Sequence, residues 1–269
     1  MGWRRQAFGV LVETDAAGKC RRALAAGGSA DDADDDPGLR PPDRPGRPAK
    51  PLLAPPRDVP KRRLGALEGR IALLHALAHI ELNAVDLAFD MALRFEGAVA
   101  AAGLDARAFV ADWIGVGRDE ARHFLMLEGR LTALGSFYGA LPAHDGLWEA
   151  AHATADSVLA RLAIAPMVLE ARGLDVTPDM AERLERAGDA DSAAILRTIH
   201  AEEIGHVGRG VAWFEALCRE KGFAPADVFA RLVRARFRGR LKPPFNEAAR
   251  MAAGLGPHYH HHWSSLCDA

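Results

Sequence analysis

Residues 119–124 read DEARHF and residues 202–207 read EEIGHV, so the pattern Glu-x-x-His occurs in both stretches. Side chains three positions apart lie on one face of an α-helix, so each pair can direct a carboxylate oxygen and an imidazole nitrogen at one point. Iron, manganese and zinc bind this combination of ligands. The two stretches therefore predict two helices that share a metal site. The four candidate ligands are Glu120, His123, Glu203 and His206.

Two further glutamates complete this pattern. A site for two metal ions in a helical bundle takes Glu-x-x-His from two helices and a single glutamate from each of the other two. Glu81 in HIELNAVDLAFD and Glu170 in MVLEARGLD are the candidates. In an antiparallel hairpin, ligands at equal height need a turn midway between them. The midpoints fall beside Gly103 and Gly188, and glycine commonly ends a helix.

Charge also favours metal binding at these positions. Four glutamates converging inside a bundle would repel one another and be poorly solvated, at a cost of several kcal/mol for each ionised group. Two divalent cations would balance four carboxylates and leave the imidazoles neutral. Asp119 and Glu202 are alternative ligands because each lies four residues before its histidine, but Glu120 and Glu203 are preferred.

A third match to Glu-x-x-His, Glu149 with His152, does not fit the arrangement of the six candidate ligands on four helices. It lies about 20 residues before Glu170, which is about 30 Å along a helix. We interpret it as a surface pair.

Composition predicts an all-α protein. The chain has 269 residues, of which 49% are hydrophobic and only 7% aromatic, and it is rich in alanine, leucine and arginine. These side chains have no branch at Cβ and lose little rotamer freedom in a helix. The prolines, glycines and helix caps divide the chain further. The expected helices cover residues 64–102, 105–135, 154–172 with a kink at Pro166, 178–187, 191–222 and 225–238, with short helices at 19–26 and around Trp148, and a break at 173–178.

Three regions follow from this division. Residues 1–60 are rich in proline, aspartate and arginine and predict an extended N-terminal arm, because prolines interrupt helices and few side chains there can be buried. Residues 61–222 predict a four-helix bundle. Residues 223–269 predict additional C-terminal helices that pack on the bundle.

Charge and cysteine content bear on location. The formal net charge is −2, so the whole chain gives no reason to expect an anionic membrane or nucleic acid as a partner. The three cysteines are scattered, which favours a reducing compartment. No membrane span or signal peptide is expected, so the prediction is a cytoplasmic protein.

The order Glu, Glu-x-x-His, Glu, Glu-x-x-His resembles the ferritin-like di-iron superfamily. The strings HALAHIELNAVDLAFDMALRF, DEARHFLMLEGRL, EARGLDVTP, AEEIGHV and LKPPFN resemble one uncharacterised bacterial family of ferritin-like di-iron carboxylate proteins, over residues 50–265. That family is more distantly similar to tRNA-modifying di-iron hydroxylases. The resemblance implies a crossover at residues 136–153 and two iron ions, with manganese or a mixed pair as alternatives. The matching ligand positions are Glu81, Glu120, His123, Glu170, Glu203 and His206.

The leading functional hypothesis is an O2-activating di-iron oxidoreductase, a hydroxylase or oxidase of unknown substrate. The alternatives are a ferroxidase or iron-handling protein, and a binding or scaffold protein stabilised by its metals. The partner hypotheses are a small-molecule or tRNA substrate, an electron-donor reductase and a second copy of the chain in a homodimer. A basic stretch could touch phosphate, although a solvated face is the preferred interpretation. It contains Arg231, Arg234, Arg236, Arg238, Arg240 and Lys242.

Other polar residues are weaker candidates. His75 and His79 are expected to pack rather than bind metal, because they point away from the direction of Glu81. His200 could contact a ligand. Asp86, Asp90 and Arg172 could orient ligands or form ordinary salt bridges. The histidine-rich tail could bind metal adventitiously, through His258, His260, His261 and His262.

Overall fold

The computed structural model describes residues 2–27, 36–59 and 64–260, and in these residues all regular structure is helical. The prediction of an all-α protein is confirmed. A single isolated bridge joins Leu53 and Ala143. The helices are α1 (Trp3–Val12), α2 (Ala16–Ala25), α3 (Leu67–Ala101), α4 (Ala106–Ala133), α5 (Gly146–His152), α6 (Val158–Ile164), a π-helical segment (Ala165–Glu170), α7 (Ala171–Arg186), α8 (Ala190–Glu220), α9 (Pro225–Arg236) and α10 (Glu247–Ala252), with short 3-10 turns at Pro56–Asp58 and Pro257–Tyr259.

Two helical hairpins form the centre of the molecule, α3 with α4 and α7 with α8. Gly103 and Gly188 end the first helix of each hairpin, both with a φ of 79° that suits glycine. Asp105 then caps α4 by accepting hydrogen bonds from two backbone N–H groups. Asp189, rather than the expected Asp191, caps α8 in the same way. Because both connections are short, the helices of each hairpin are antiparallel neighbours.

Helix α3 lies in the core. By length and composition it could cross a membrane, with a mean hydropathy of 1.4 over its most apolar window, but 83% of that window is buried inside the molecule. The core helix of a soluble protein has this character. Every residue from Leu82 to Leu93 is buried, so α3 is covered on more than one face.

The expectation of an extended N-terminal arm is wrong for residues 3–25, which form α1 and α2. Helix α1 buries Trp3, Ala7, Val10 and Leu11 and packs on α3. These residues recur every three or four positions, which gives a single apolar face. Helix α2, near the expected short helix at 19–26, packs mainly on α4. The following proline-rich residues 36–55 contain no helix, as expected.

The expected break at 173–178 is also wrong, because α7 continues through Pro178. A proline inside a helix leaves the carbonyl four residues earlier without its N–H donor. That carbonyl belongs to Leu174, and it accepts hydrogen bonds from His200 Nε2 at 3.2 Å and from Asn246 Nδ2 at 3.1 Å. Distant side chains therefore replace the missing backbone bond and let the helix continue.

The C-terminal helices α9 and α10 pack on the central helices. Helix α9 contacts α6 and α8, and α10 contacts α7 and α8. Arg250 of α10 forms two hydrogen bonds to the buried carboxylate of Asp175 in α7, at 2.7 and 2.8 Å. In the basic stretch, Arg236 bonds Asp156 at 2.8 Å, while Arg238 and Arg240 are exposed.

Candidate metal centre

Four helical elements carry the six predicted ligands toward the interior. Helix α3 supplies Glu81, α4 supplies a Glu-x-x-His pair, the π-helical segment ends at Glu170, and α8 supplies the second pair. Glu81, Glu120, His123, Glu203 and His206 each have at most 9% of their surface exposed. Glu170 is partly exposed as a whole residue, but its Oε2 atom is buried.

Four of the six meet at one point. Glu81, Glu120, His123 and Glu203 each offer one ligand atom, and these atoms all lie within 4.8 Å of one another. His123 Nδ1 is 3.3 Å from Glu81 Oε2 and 3.4 Å from Glu120 Oε2. It is 3.7 Å from Glu203 Oε1. Three carboxylates therefore surround one imidazole nitrogen.

His206 brings a second imidazole to the same carboxylates. Its Nδ1 atom is 3.0 Å from Glu120 Oε1 and 3.4 Å from Glu203 Oε1. Glu120 thus presents one oxygen to each histidine. Glu170 lies outside the 4.8 Å group. Burial raises its pKa, and the negative charges of Glu203 and Glu120 raise it further. The predicted ligands from α3 and α4 therefore lie close to those from the π-helical segment and α8.

Three buried atoms of the candidate ligands make no hydrogen bond to the described residues. Glu120 Oε1 and His206 Nδ1 are close together, yet their geometry makes no hydrogen bond, and both atoms are buried without a partner among the described residues. Glu170 Oε2 is buried and unpartnered in the same way. Buried polar atoms are normally hydrogen-bonded. Buried carboxylate oxygens and an imidazole nitrogen without a hydrogen-bond partner are suited to a cation, so the residues fit a metal site.

A second layer of charged residues holds the two imidazoles from outside. His123 Nε2 contacts Glu202 of α8 at 2.9 Å, and His206 Nε2 contacts Asp119 of α4 at 3.2 Å. Each histidine is therefore held by a carboxylate on the opposite helix. Arg122 joins these carboxylates, at 2.5 Å from Asp119 and 2.9 Å from Glu202. Such contacts commonly orient a metal-binding histidine, with the other ring nitrogen free for the metal.

The structure also bears on the choice between Asp119 and Glu120, and between Glu202 and Glu203, as candidate ligands. Asp119 and Glu202 lie on the far side of the imidazoles, away from the cluster, whereas Glu120 and Glu203 lie on the inner side. Sequence reasoning missed the pairing across the helices and the role of Arg122 in it. The repeated acidic residue directly before each Glu-x-x-His was the available signal.

The acids of the cluster have divergent pKa values. Burial, followed by the nearby charge of Glu120, raises the pKa of Glu81 well above its ordinary value. Burial also raises the pKa of Glu203, again with Glu120 adding to the effect. Burial opposes ionisation of Glu120 too, but His206 and His123 outweigh it and lower its pKa. The hydrogen bond from His206 holds the pKa of the outer Asp119 at about 2.

The histidines bind protons more tightly than usual. Burial disfavours the charged form of His123, but Glu120 and Glu81 outweigh it and raise its pKa to about 11. The pKa of His206 is raised by Glu120 and Asp119, again against burial. In the metal-free protein, protons therefore balance the carboxylates. Divalent cations would displace those protons.

Close backbone approach lets the elements converge. A Cβ atom on Gly117 would lie 2.6 Å from the Phe89 ring, where α3 and α4 cross. A Cβ atom on Gly210 would lie 2.5 Å from the Pro166 ring, where α8 meets the π-helical segment. Pro166 was expected to kink its helix, and in the structure it lies in that π-helical segment, which ends at Glu170. Such segments are frequent at functional sites.

The weaker histidine candidates lie outside the cluster. His75 Nε2 accepts a hydrogen bond from the backbone N–H of Gly139 at 2.9 Å. His79 Nδ1 is 2.8 Å from the Tyr138 hydroxyl. Both tie α3 to the connection after α4. His152 is exposed on α5 together with Glu149.

The remaining charged candidates form salt bridges or lie at the tail. Asp86 pairs with Lys19, Asp90 pairs with Arg94 and Arg161, and Arg172 lies 3.6 Å from Asp175. In the tail, His260 contacts Glu247 at 2.9 Å, while His261 and His262 lie outside the described residues.

Comparison with known proteins gives a family without an assigned activity. No solved structure matches the chain. A relative from Haemophilus influenzae (strain ATCC 51907 / DSM 11121 / KW20 / Rd), described as "Uncharacterized protein", is 43% identical over 211 residues, or 78% of this chain and 73% of the relative. The family model described as "Protein of unknown function (DUF455)" matches residues 12–261, a range that includes all six candidate ligands. The chain therefore belongs to this family.

Proposed function

We propose that this protein is a ferritin-like di-iron carboxylate protein that activates O2 as an oxidoreductase, either a hydroxylase or an oxidase. The four-helix bundle of this proposal is formed by α3, α4, the helix that comprises α6, the π-helical segment and α7, and α8. It falls within residues 61–222, and the described residues before and after that range pack around it. The paired hairpins and the crossover between α4 and α6 support this arrangement.

One observation carries the proposal. Two Glu-x-x-His pairs on adjacent helices turn their Nδ1 atoms and carboxylates toward each other, while a carboxylate of the opposite helix holds each Nε2 atom. A salt-bridge network of purely structural use would pair its carboxylates with lysine or arginine. Here, among the described residues, the inner carboxylates contact only histidines and one another.

Each metal ion has a distinct set of candidate ligands. Glu81 and His123 would hold one ion, and Glu170 and His206 the other. Glu120 and Glu203 approach both imidazoles and would complete the set of residues that holds the two ions. A ferrous pair bound there would supply the electrons that reduce O2.

The surrounding residues would keep the histidine ligands oriented. Asp119 and Glu202 fix the imidazole orientation, and Arg122 fixes those two carboxylates. Iron is favoured over zinc by the carboxylate-rich ligand set, with manganese or a mixed pair as alternatives. The substrate class stays a prediction, with a small molecule or tRNA as the hypotheses.

Metal content is the first test. The protein should be purified without a nickel column, so that the histidine-rich tail is not loaded, and its metals counted by mass spectrometry. We expect about two metal ions per chain in the wild type after anaerobic loading with ferrous ion. The Glu120→Ala, Glu203→Ala double variant should bind none. Equal metal content in the two proteins would contradict the proposed site.

Reaction with O2 separates the functional alternatives. The loaded wild type should consume O2, and a reductant should restore the ferrous state for further turnover. A shell-sized particle that oxidises excess ferrous ion would instead indicate iron storage. A loaded protein that is inert to O2 and unfolds on chelation would indicate a metal-stabilised scaffold.

A further inference from the structure

A cavity of about 330 Å³ lies on the side of α3 that faces away from the metal centre. His79, Leu82, Asn83 and Asp86 of α3 line it. Since a helix turns about 100° per residue, these four residues share one face, and Glu81 points from the opposite face. The cavity is therefore separate from the candidate metal centre. Its other walls come from α2, Tyr138 and the chain at Gly46–Leu53.

The floor of the cavity is charged. Lys19 is fully buried and pairs with Asp86. Arg47 donates hydrogen bonds from its two terminal nitrogens, to Asn83 Oδ1 and to Asp145 Oδ1, both at 2.7 Å. Its third nitrogen, Nε, is buried and has no partner among the described residues. A buried N–H donor without an acceptor is costly, so this atom is suited to an acceptor from a ligand.

The neutral polar groups on the wall are already satisfied. The Tyr138 hydroxyl contacts His79 Nδ1 at 2.8 Å, and His79 Nε2 contacts the backbone carbonyl of His144 at 3.2 Å. The charged lining residues are then Lys19, Arg47 and Asp86, two cations and one anion. Arg47 shares the carboxylate of Asp145 with Arg44, so the charged lining residues and their ion-pair partners together comprise three cations and two anions. This excess of one positive charge favours a ligand of negative charge.

The mouth of the cavity is apolar. Leu52 is 69% exposed and Leu53 is 45% exposed, although both are large hydrophobic side chains. Pro48, Pro51 and Leu82 continue this apolar wall inward. A small-molecule site commonly combines such walls with a few placed polar groups, in a volume of about 300–1,000 Å³.

We propose that this cavity binds a small amphiphilic molecule, whose oxyanion head group accepts a hydrogen bond from Arg47 and whose apolar body lies against Leu52 and Leu53. The head group is a carboxylate or a phosphate, since both accept hydrogen bonds from a guanidinium group. The site does not depend on the function of the metal centre, because it lies on the other face of α3.

Binding of four probes to the full chain tests the head group and the body separately. The probes are octanoate, octyl phosphate, octanol and inorganic phosphate, measured by isothermal titration calorimetry. We expect octanoate or octyl phosphate to bind roughly tenfold more tightly than octanol, because only these two carry the charged acceptor. Inorganic phosphate alone should bind more weakly than either. Octanol binding as tightly as both charged probes would overturn the proposal.

Matched variants locate the bound probe. Arg47→Gln should weaken binding of the charged probe roughly tenfold. Arg44→Gln is its control, because Arg44 pairs with the same Asp145 but lies outside the cavity. Equal affinity in the two variants would place the probe elsewhere.

A second pair of variants tests the mouth of the cavity. This pair keeps the proposal testable if Arg47→Gln does not fold. Leu52→Asn should weaken the octyl probes, whereas Leu67→Asn should not, since Leu67 is 41% exposed at the start of α3 and does not line the cavity. Unchanged affinity in Leu52→Asn would contradict the proposed position of the apolar body.

Discussion

The two faces of α3 carry acidic residues in different surroundings. On the outer side, Asp86 pairs with Lys19, and Asp90 pairs with Arg94 and Arg161, so the chain supplies its own cations. On the inner side, Glu81 meets other glutamates and His123, and no lysine or arginine among the described residues pairs with the inner cluster. Burial alone does not distinguish the two sets, because both are nearly inaccessible to solvent. The source of the counter-charge distinguishes them.

The largest effect is expected on the outer side. Asp90→Ala leaves the buried guanidinium of Arg161 without its carboxylate, which is 2.5 Å away in the wild type. We expect the free energy of unfolding of the metal-free protein to fall by about 3–5 kcal/mol. Urea unfolding measures it. As a control, Asp179→Ala removes an exposed pair with Arg183 and should cost about 1 kcal/mol or less. Equal losses would mean that Asp90 is not a structural counter-ion.

The glutamates on the inner side should affect how much a bound metal raises the free energy of unfolding. Ferrous ion added anaerobically at about 10 times its dissociation constant should stabilise the wild type by about 1.4 kcal/mol for each of the two ions, since it binds only the folded state. Urea unfolding with and without metal measures this difference. The Glu120→Ala, Glu203→Ala variant should show no stabilisation, whereas Asp90→Ala should keep it. Stabilisation of the double variant by metal would contradict the prediction that the inner glutamates bind the metal.

Removing a carboxylate that orients a candidate histidine ligand should have an intermediate effect, on metal affinity. Asp119→Asn weakens the hydrogen bond that orients His206, so metal affinity should fall about 10–100-fold. Asp112→Asn is a matched control on α4, because Asp112 contacts Arg209 and Trp213 rather than a candidate ligand. Competition with a chromophoric chelator measures both affinities. Equal affinity of the two variants would contradict an orienting role.

Metal affinity should also depend on pH. The metal-free site holds protons, with the pKa of His123 raised to about 11 and that of Glu81 raised well above its ordinary value. Metal must displace these protons, so affinity should rise with pH below 11, by about tenfold per pH unit for each proton released. Titrations at pH 6, 7 and 8 measure the slope. A flat profile would mean that the cluster binds metal without losing protons.

Local signals predicted much of the fold. The turns at Gly103 and Gly188 and the cap at Asp105 follow from residues next to one another in sequence, and the structure has them there. The break expected near Pro178 failed because the carbonyl of Leu174 finds donors in His200 and Asn246, which are far away in sequence. Helix α1 was missed for a similar reason, since its apolar face is stabilised by packing on α3.

The sequence by itself determined the all-α class, the helices that carry the candidate ligands and the types of those ligands. Spacing along a helix decides which side chains share a face, and that information is local. Only the tertiary structure decided that Asp119 and Glu202 cross to the histidines of the opposite helix, that Lys19 and Arg161 neutralise the outer face of α3, and that a cavity lies there. These partners are distant in the chain, and they meet only because packing sets the distances between helices.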